Sequence, residues 1–472
     1  MHGSPTRSGV LWFDDPQSLV ATGGVGPAVG ARADGSLVHY DAPFAQCADG
    51  ASFWLTNVPF ATLQQLGLLR RPDVRDDAFL LTRPDGLVAE MGLRHAPVEV
   101  RARAVALQLG QCLAAATRWF GLPEPPDGYS LAHALRKHLF TFPETVVPPD
   151  HLYAFSSASQ EVTFSGRTEV LSPGVTRRVV VRHHRQDYAI RMLDAQVPGG
   201  EWSEVYPPSD PAQIPRWVKD TVEARPLLLR ASVQFRGEHA HRMAMLTGLG
   251  AGAQSVRTPT GRQGNLRAWI TAPEYLVLCQ HADIDVHGAL AAERYHPNPY
   301  RGISPIATGR LGTAPIFCGP LQLNGENRMA YSIGLLCEAM WVALIKSGSQ
   351  KDAMSMWLSA LDRAECLRTA IAILDLGLPL QVTGFARGRI WIALSEEGQE
   401  DEAILARLAM VGACCRLVPP VMPPAVRRTE RLKVADEMSK RAHREIPRDP
   451  ALAMGAIAVL GNRSLVNDIL RV

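Results

Sequence analysis

The chain has 472 residues, of which 46% are hydrophobic, and this is enough for a sizeable core and predicts two to four domains. Its 49 basic and 46 acidic residues leave a net charge of only +3, which excludes strong general attraction to a polyanion. Any binding to nucleic acid must therefore come from local basic patches.

Cysteine spacing and hydropathy narrow the class of protein further. The eight cysteines form no Cys-x-x-Cys pair, so neither a zinc ribbon nor a thioredoxin-type site is indicated. The first residues contain no apolar run of signal-peptide length, and no stretch approaches the length of a transmembrane helix. We therefore expect a soluble intracellular protein, cytoplasmic or virion-associated, with no membrane partner.

Short apolar runs separated by turn residues predict a mixed β region at the N-terminal end. Strands are expected at 10–13 and 52–55, and residues 28–30 and 36–40 flank an Ala-Asp-Gly turn, which indicates a hairpin. Apolar residues at helical spacing then predict helices over 98–120 and 130–140. A proline-rich stretch at 143–149 marks the first expected domain boundary.

Residues 151–300 return to a β-rich pattern. Within this region Thr271, followed by Pro273 and Glu274, has the signature of a helix start. Residues 327–376 are predicted to be nearly continuous helix, with a break near the Ser-Gly-Ser sequence at 347–349.

Residues 380–394 predict a β-hairpin, because two short β runs surround a Gly-containing corner. A helix is expected over 400–415, and a proline-rich run at 419–424 follows it. Basic residues cluster behind that run over 427–444, either as a solvated helix face or as a contact to nucleic acid.

Several weak motifs then occur in a common order. The segment from Glu201 to Pro207 reads Glu-Trp-Ser-Glu-Val-Tyr-Pro, and the hairpin corner reads Gly-Phe-Ala-Arg-Gly-Arg. These segments resemble two palm motifs of family-B DNA polymerases of the protein-primed kind, Asp-x-x-Ser-Leu-Tyr-Pro and Tyr-x-Asp-Thr-Asp-Ser. Glu201 takes the place of a metal-binding Asp, Tyr206 matches the motif's Tyr, and Ala386 and Gly388 replace the two later acids.

The N-terminal region is similar to the exonuclease motifs of the same family, again without its acids. Asp14 matches the Asp of Asp-x-Glu, but Pro16 replaces the Glu. The segment from Asn57 to Ala61 resembles Asn-x-x-Phe-Asp with Ala61 in place of the Asp, and the segment from Tyr129 to His133 resembles Tyr-x-x-x-Asp with His133 in its place. Residues 164–170 are similar to the family's Tyr-x-Gly-Gly-Arg-x-Glu segment.

The resemblance implies a multidomain α+β fold, with an RNase H-like exonuclease-like domain followed by a palm, fingers and thumb. The expected division is an exonuclease-like domain, a palm-like β region, a helical fingers-like region, the palm hairpin and a helical thumb-like region, at 1–148, 149–326, 327–380, 381–398 and 399–472. Two-metal catalysis needs acidic oxygens, so their replacement predicts a protein without catalytic residues, metal or cofactor.

The resulting hypothesis is a non-catalytic polymerase-like protein that binds nucleic acid, DNA rather than RNA, without reading its sequence. Replication or packaging of a virus or mobile element would be its setting. Its expected contacts are basic residues on the palm strands, fingers helix, hairpin and C-terminal cluster: Arg178, Arg182, Arg328, Arg387, Arg389, Arg427, Arg428, Arg431 and Lys433.

Two other classes stay open on sequence. A self-assembling coat or shell protein would explain the many Pro and Gly loops and the missing catalytic site, and an enzyme with an unfamiliar site is the third class. His239 with His241, or Asp283 with Asp285, could hold a metal on a strand, although a solvated loop or turn explains each pair. The Gly-rich residues 248–264 lack the Gly-Lys-Ser/Thr of a phosphate-binding loop.

Overall fold

The computed structural model divides the chain into two compact units, which are described separately below. Unit 1 comprises residues 1–142, 184–194 and 298–344, and unit 2 comprises residues 143–183, 195–297 and 345–472. The structure describes the following residues: 8–41, 43–46, 53–68, 74–75, 87–88, 90–123, 131–140, 144–159, 177–182, 185–249, 268–296, 325–347, 353–378, 380–394, 401–411 and 414–418. The division into five domains stays a prediction.

The described strands are numbered in chain order. They are β1 Ser8–Phe13, β2 Ala28–Arg32, β3 Leu37–Tyr40, β4 Phe53–Thr56, β5 Val74–Arg75, β6 Thr145–Val146, β7 Arg177–Arg182, β8 Val197–Val205, β9 Leu227–Phe235, β10 Trp269–Thr271, β11 Ala282–His296, β12 Leu380–Ala386, β13 Arg389–Leu394 and β14 Cys414–Val418.

The described helices are numbered in the same way, apart from three short 3₁₀ turns. They are α1 Pro43–Gln46, α2 Phe60–Gln65, α3 Val98–Phe120, α4 Leu131–Leu139, α5 Leu152–Ser159, α6 Arg185–Leu193, α7 Ile214–Ala224, α8 Ala240–Thr247, α9 Ala272–Leu278, α10 Gly325–Ser347, α11 Ala353–Leu374 and α12 Asp401–Ala409. Among these helices none has the length and apolar character that a membrane span requires.

A sheet with the strand order β3-β2-β1-β4-β5 forms the centre of unit 1. β1 is buried along its whole length, as expected for a central strand made from an apolar run. It pairs antiparallel with β2 and parallel with β4, while β2 and β3 form the expected antiparallel hairpin. Asp34 accepts a hydrogen bond from the backbone N–H of Ser36 (2.9 Å) and Gly35 has φ +87°, so this turn has the chemistry that the sequence indicated.

Helix α3 packs against β1 and β2 in unit 1, and its bounds agree with the prediction. Residues of the predicted apolar stripe, such as Val105, Leu109 and Cys112, are fully buried. The helix ends at Gly121, whose left-handed φ of +69° is the usual C-terminal signal.

Unit 2 contains two sheets, and the larger has the strand order β10-β9-β11-β8-β6. β11 spans 15 residues and pairs antiparallel with both β8 and β9, in agreement with the β-rich pattern of this region. Helix α9 begins at the predicted position with a capping box, in which Thr271 and Glu274 satisfy each other's backbone N–H groups.

The second sheet of unit 2 has the strand order β12-β13-β7-β14, and it contains the predicted hairpin as β12 and β13. One face of this sheet belongs to the hydrophobic core, where Val181, Ile390, Ile392 and Leu394 are buried. Helices α11 and α12 contribute residues to the same core and cover that face.

One helical prediction is corrected by the structure, and another agrees with it. The helix expected over 400–415 ends at Ala409, because Cys414–Val418 pairs with β7 as strand β14. The helical tract predicted over 327–376, with its break near 347–349, corresponds to the two helices α10 and α11. Residues 164–170, 250–264 and 419–472 lie outside the described part of the chain.

Candidate nucleic-acid interface

The hairpin corner between β12 and β13 is a tight turn of two left-handed residues. Arg387 has φ +55° and Gly388 has φ +66°, which is the pattern of a type I′ turn. Glycine adopts this conformation freely, whereas a residue with a Cβ, such as Arg387, adopts it at a cost of about 1–2 kcal/mol. The fold must therefore hold Arg387 in place by contacts from elsewhere.

Those contacts come from Asp362 on helix α11. Its carboxylate accepts hydrogen bonds from the backbone N–H of Arg387 (2.7 Å) and from that of Gly388 (2.9 Å). The carboxylate also accepts from the Cys366 thiol (3.5 Å), and Asp362 is buried. A charged acceptor on two adjacent turn amides is a strong local restraint, so Asp362 fixes the corner of the hairpin.

The next residue, Arg363, is the partner of a buried acid. Its Nε donates to Glu274 Oε1 (2.9 Å), and its Nη2 donates to the backbone carbonyl of Ala158 (2.7 Å). Side-chain exposure is only 10% for Arg363 and 4% for Glu274, so this ion pair is shielded from water. Helix α11 thus joins the hairpin, through Asp362, to the start of α9, through Arg363.

The register of the second sheet places four arginines on one face. Arg389 on β13 lies opposite Arg182 on β7, and Val180 lies opposite both Trp391 on β13 and Arg416 on β14. Because successive residues alternate between faces, one face carries the following set, which we call the arginine face: Arg178, Arg182, Arg389, Trp391 and Arg416.

The arginine face is the side of the sheet opposite the buried core. Ile390 and Ile392 alternate with Arg389 and Trp391 along β13, and both isoleucines are buried. Arg389 and Trp391 are half-buried. The register thus sets two residues of like charge, Arg389 and Arg182, directly opposite each other in the sheet.

The structure brings together only some of the predicted contacts. Arg178, Arg182 and Arg389 share the arginine face, and Arg387 lies in the adjoining turn. Arg328 lies on α10, in unit 1, whereas this sheet belongs to unit 2. The predicted contacts of the C-terminal cluster lie outside the described residues: Arg427, Arg428, Arg431 and Lys433.

The palm-like segment with Glu201 and Tyr206 is not in the sheet of the hairpin. Glu201 lies on β8, in the larger sheet of unit 2, and it is exposed like Tyr206 just beyond that strand. The strand beside the hairpin is β7, and its last residue, Arg182, is the one opposite Arg389. A basic residue, and not an acid, therefore faces the start of β13.

The exonuclease-like positions of unit 1 are linked through Asn57. Its side chain accepts from the backbone N–H of Phe13 (2.9 Å) and donates to the carbonyl of Phe13 (2.8 Å). These two hydrogen bonds hold Asn57 beside the end of β1, and Asp14 and Pro16 come directly after that strand in the chain. Ala61 lies on α2 and His133 on α4, and Tyr129 is outside the described residues.

The alternative sites find little support in the residues that the structure describes. His287 bonds to the Ser232 hydroxyl (2.8 Å) and Asp283 pairs with Arg236 (3.5 Å). No three His, Cys, Asp or Glu side chains in the described segments cluster as metal ligands. Burial raises the pKa of Cys337 to about 12 and also raises that of Cys279, which disfavours the reactive thiolate at both residues.

Comparison with known proteins gives similarity only at the level of solved structures. No family model and no curated protein matches the chain. The chain is similar to phi29 DNA polymerase in complex with primer-template DNA and incoming nucleotides, with a TM-score of 0.41 and 10% identity over 85% of this chain and 82% of that one. The binary complex of that polymerase with primer-template DNA gives a TM-score of 0.39 and 10% identity over 80% and 78% of the two chains.

Sequence reasoning missed Arg416, Trp391 and the buried charges that hold the hairpin. The helix predicted over 400–415 ends just before Arg416, so no strand was expected at that position. A signal for Asp362 and Arg363 does exist, because they are adjacent charged residues in a helix whose other neighbours are mostly apolar. Two such charges in a buried helix need partners.

Proposed function

We propose that this chain is a non-catalytic, polymerase-like protein that binds nucleic acid through phosphate contacts on the arginine face, without reading sequence. The observation that carries the proposal is the register that sets Arg182 opposite Arg389, with Arg178 and Arg416 on the same face. Guanidinium groups bind phosphate oxygens in paired hydrogen bonds, so arginine is the residue type that suits such contacts.

The low net charge of the chain is consistent with a local interface. A charge of +3 over 472 residues gives weak attraction at a distance, so we propose that the four arginines of this sheet face supply the local attraction. Phosphate contacts position a protein on nucleic acid but carry no base information. We therefore propose sequence-tolerant binding, with DNA as the principal partner.

The order of motifs supports the polymerase-like part of the proposal, and the sheet of unit 1 adds to it. Its strand order is β3-β2-β1-β4-β5, and β2 runs antiparallel to both of its neighbours while the other described pairs are parallel. This arrangement supports the proposed RNase H-like character of unit 1. The position of Asn57 beside β1 and Asp14 agrees with the proposed pair of exonuclease-like motifs. Fold does not fix function, so the activity is argued from the residues at each site.

The purified protein is expected neither to extend a primed template nor to degrade a 3′ end with magnesium or manganese. Carboxylates that would hold two metals are replaced at the motif positions Pro16, Ala61, His133, Ala386 and Gly388. Primer extension and 3′-end labelling assays check both reactions. Metal-dependent incorporation that disappears in Glu201→Ala would refute the non-catalytic proposal.

A charge-matched pair of variants tests the interface. Arg182→Gln/Arg389→Gln removes the opposed pair, and Arg216→Gln/Arg230→Gln removes the same charge from exposed positions on α7 and β9. The slope of log affinity against log salt is negative, and each lost phosphate contact reduces its steepness by about 0.7 for single strands and 0.9 for duplex DNA. Fluorescence anisotropy at several salt concentrations is expected to show this flattening, equally for unrelated sequences, only in the first variant.

Two results would count against the interface. Equal flattening by both variants would mean that total charge, and not the arginine face, controls binding. A change in sequence preference with an unaltered salt slope would indicate base readout instead of phosphate contact.

A further inference from the structure

Strand β3 forms one edge of the sheet of unit 1, and its outer side carries unpaired backbone groups. In the described sheet it has β2 as its neighbour and pairs with it without irregularity. The backbone N–H of Arg32 donates to the carbonyl of Ser36 (2.9 Å), which fixes the residues of β3 that face β2. Because inward and outward residues alternate, Leu37 and His39 direct their N–H and C=O groups away from β2. No described residue bonds to these four groups.

The side chains on this edge include exposed apolar groups. Leu37 is 37% exposed and Val38 is 41% exposed. β3 contains neither Pro nor Lys, two residue types that are common on edges that resist strand addition. The edge therefore offers an added strand both main-chain bonds and apolar contacts, and its four residues limit that strand to a short segment.

The charges at the two ends of β3 are unequal. Asp41 follows the strand directly, is exposed and forms no ion pair with a described residue. Asp34 lies in the turn before the strand, and hydrogen bonds from the backbone N–H and the hydroxyl of Ser36 lower its pKa, so it is ionised at neutral pH. At that end, however, Arg103 on α3 lies beside Gly35 and balances the charge. The end with Asp41 is therefore the acidic one.

This asymmetry identifies the kind of segment that fits the edge. A basic residue beside Asp41 gives an opposite-charge pair, which stabilises adjacent strands. A second copy of β3, paired antiparallel about Val38, would place Gly35 opposite Asp41 and so brings no cation there. Charge thus favours a segment of a different protein over a second copy of this chain.

We propose that β3 binds an extended segment of a partner protein, added antiparallel, with apolar residues opposite Leu37 and Val38 and a basic residue opposite Asp41. The segment exchanges four main-chain hydrogen bonds with Leu37 and His39. Antiparallel addition is the more stable arrangement per residue. The site lies in unit 1 and is independent of the arginine face, which lies in unit 2.

A fluorescently labelled synthetic peptide, acetyl-Lys-Thr-Thr-Val-Val-Ser-amide, is the probe. In the proposed register its Lys lies opposite Asp41, its third residue opposite His39 and its fifth opposite Leu37. Methylation of the backbone nitrogens of the third and fifth residues removes both donors to β3 and is expected to weaken binding about tenfold. Methylation of the second and fourth nitrogens, which point away from β3, is the matched control and is expected to have little effect. Fluorescence anisotropy measures all three affinities.

The charge pair is tested by a double-mutant cycle. A peptide with Glu in place of Lys is expected to bind wild type about threefold more weakly at low salt, the effect of an exposed charge pair. In Asp41→Asn the two peptides are expected to bind with nearly equal affinity. An undiminished difference between them in Asp41→Asn would contradict the proposed register.

One protein variant removes an outward donor without changing the pairing with β2. Proline is tolerated on sheet edges, and His39→Pro deletes an N–H that points away from β2. It is expected to weaken the unmethylated peptide about fivefold, whereas His39→Ala keeps the N–H and is expected to retain the affinity. The comparison of methylated peptides on wild type gives the same information if His39→Pro does not fold.

Three results would overturn the inference. These are no binding of the unmethylated peptide at millimolar concentration, equal weakening by the two methylation patterns, and a wild-type dimer in sedimentation analysis that His39→Pro dissociates. The last result would identify a second copy as the occupant of the edge. Nucleic-acid affinity is expected to be the same in wild type and His39→Pro, so failure of this inference leaves the proposed function untouched.

Discussion

Arg363→Met is expected to lower the free energy of unfolding by about 3–5 kcal/mol, because it leaves Glu274 as a buried charge without its cationic partner. The pair is close, with 2.9 Å between Arg363 Nε and Glu274 Oε1, and both side chains are almost fully shielded. The substitution also removes the donor to the carbonyl of Ala158. Urea denaturation with linear extrapolation measures the change.

Two further variants make the result specific. Arg368→Met removes an arginine from the same helix, but its side chain is 60% exposed and pairs with Glu365 at the surface. It is therefore expected to cost less than about 1 kcal/mol. The double variant Glu274→Leu/Arg363→Met is expected to recover most of the loss, because replacing both members of a buried pair is often neutral. A loss in Arg363→Met no larger than in Arg368→Met would contradict the buried ion pair.

Asp362→Ala is expected to cost about 3 kcal/mol, since two backbone N–H groups lose a charged acceptor. The N–H of Gly388 is buried, so water does not readily replace the carboxylate there. The stability of Asp362→Asn is expected to lie between those of Asp362→Ala and wild type, because an amide has only one accepting oxygen. Thermal or urea denaturation of the three proteins gives the order of stability.

A companion substitution tests the reason for the restraint. Arg387→Gly places a residue that tolerates φ +55° at the strained position and is expected to be neutral or slightly stabilising. In this background the stability cost of Asp362→Ala is expected to be smaller than in wild type, because glycine at position 387 adopts the left-handed conformation without strain. Identical costs in both backgrounds would show that Asp362 does not counteract strain at Arg387.

Local sequence signals predicted the elements but not the partners of the second sheet. The hairpin was predictable because its two β runs and its Gly-containing corner are adjacent in the chain. Its pairing with β7 joins segments that are far apart in the chain, and no periodicity reports such a contact. The same limit explains why the hydrogen bonds that Asp362 accepts from turn residues 25 and 26 positions later were not predicted.

Strand β14 shows where periodicity alone is ambiguous. The residues Cys-Cys-Arg-Leu-Val follow helix α12 closely, and a short apolar run fits either the end of a helix or a buried strand. Pairing with β7 decides the outcome, and it adds Arg416 to the arginine face. The position of Glu201 was likewise assigned from a motif whose strand proved to belong to the other sheet of unit 2.

The central claim is that the protein binds nucleic acid through phosphate contacts, and a salt titration of the wild-type protein tests it most directly. Fluorescence anisotropy with unrelated single-stranded and duplex oligonucleotides is expected to show binding at low salt. The logarithm of the affinity is expected to fall linearly with the logarithm of the salt concentration. Four phosphate contacts correspond to a slope of about −3 for single strands. Absence of binding to every oligonucleotide at low salt, or an affinity independent of salt, would contradict the claim and favour the self-assembly alternative.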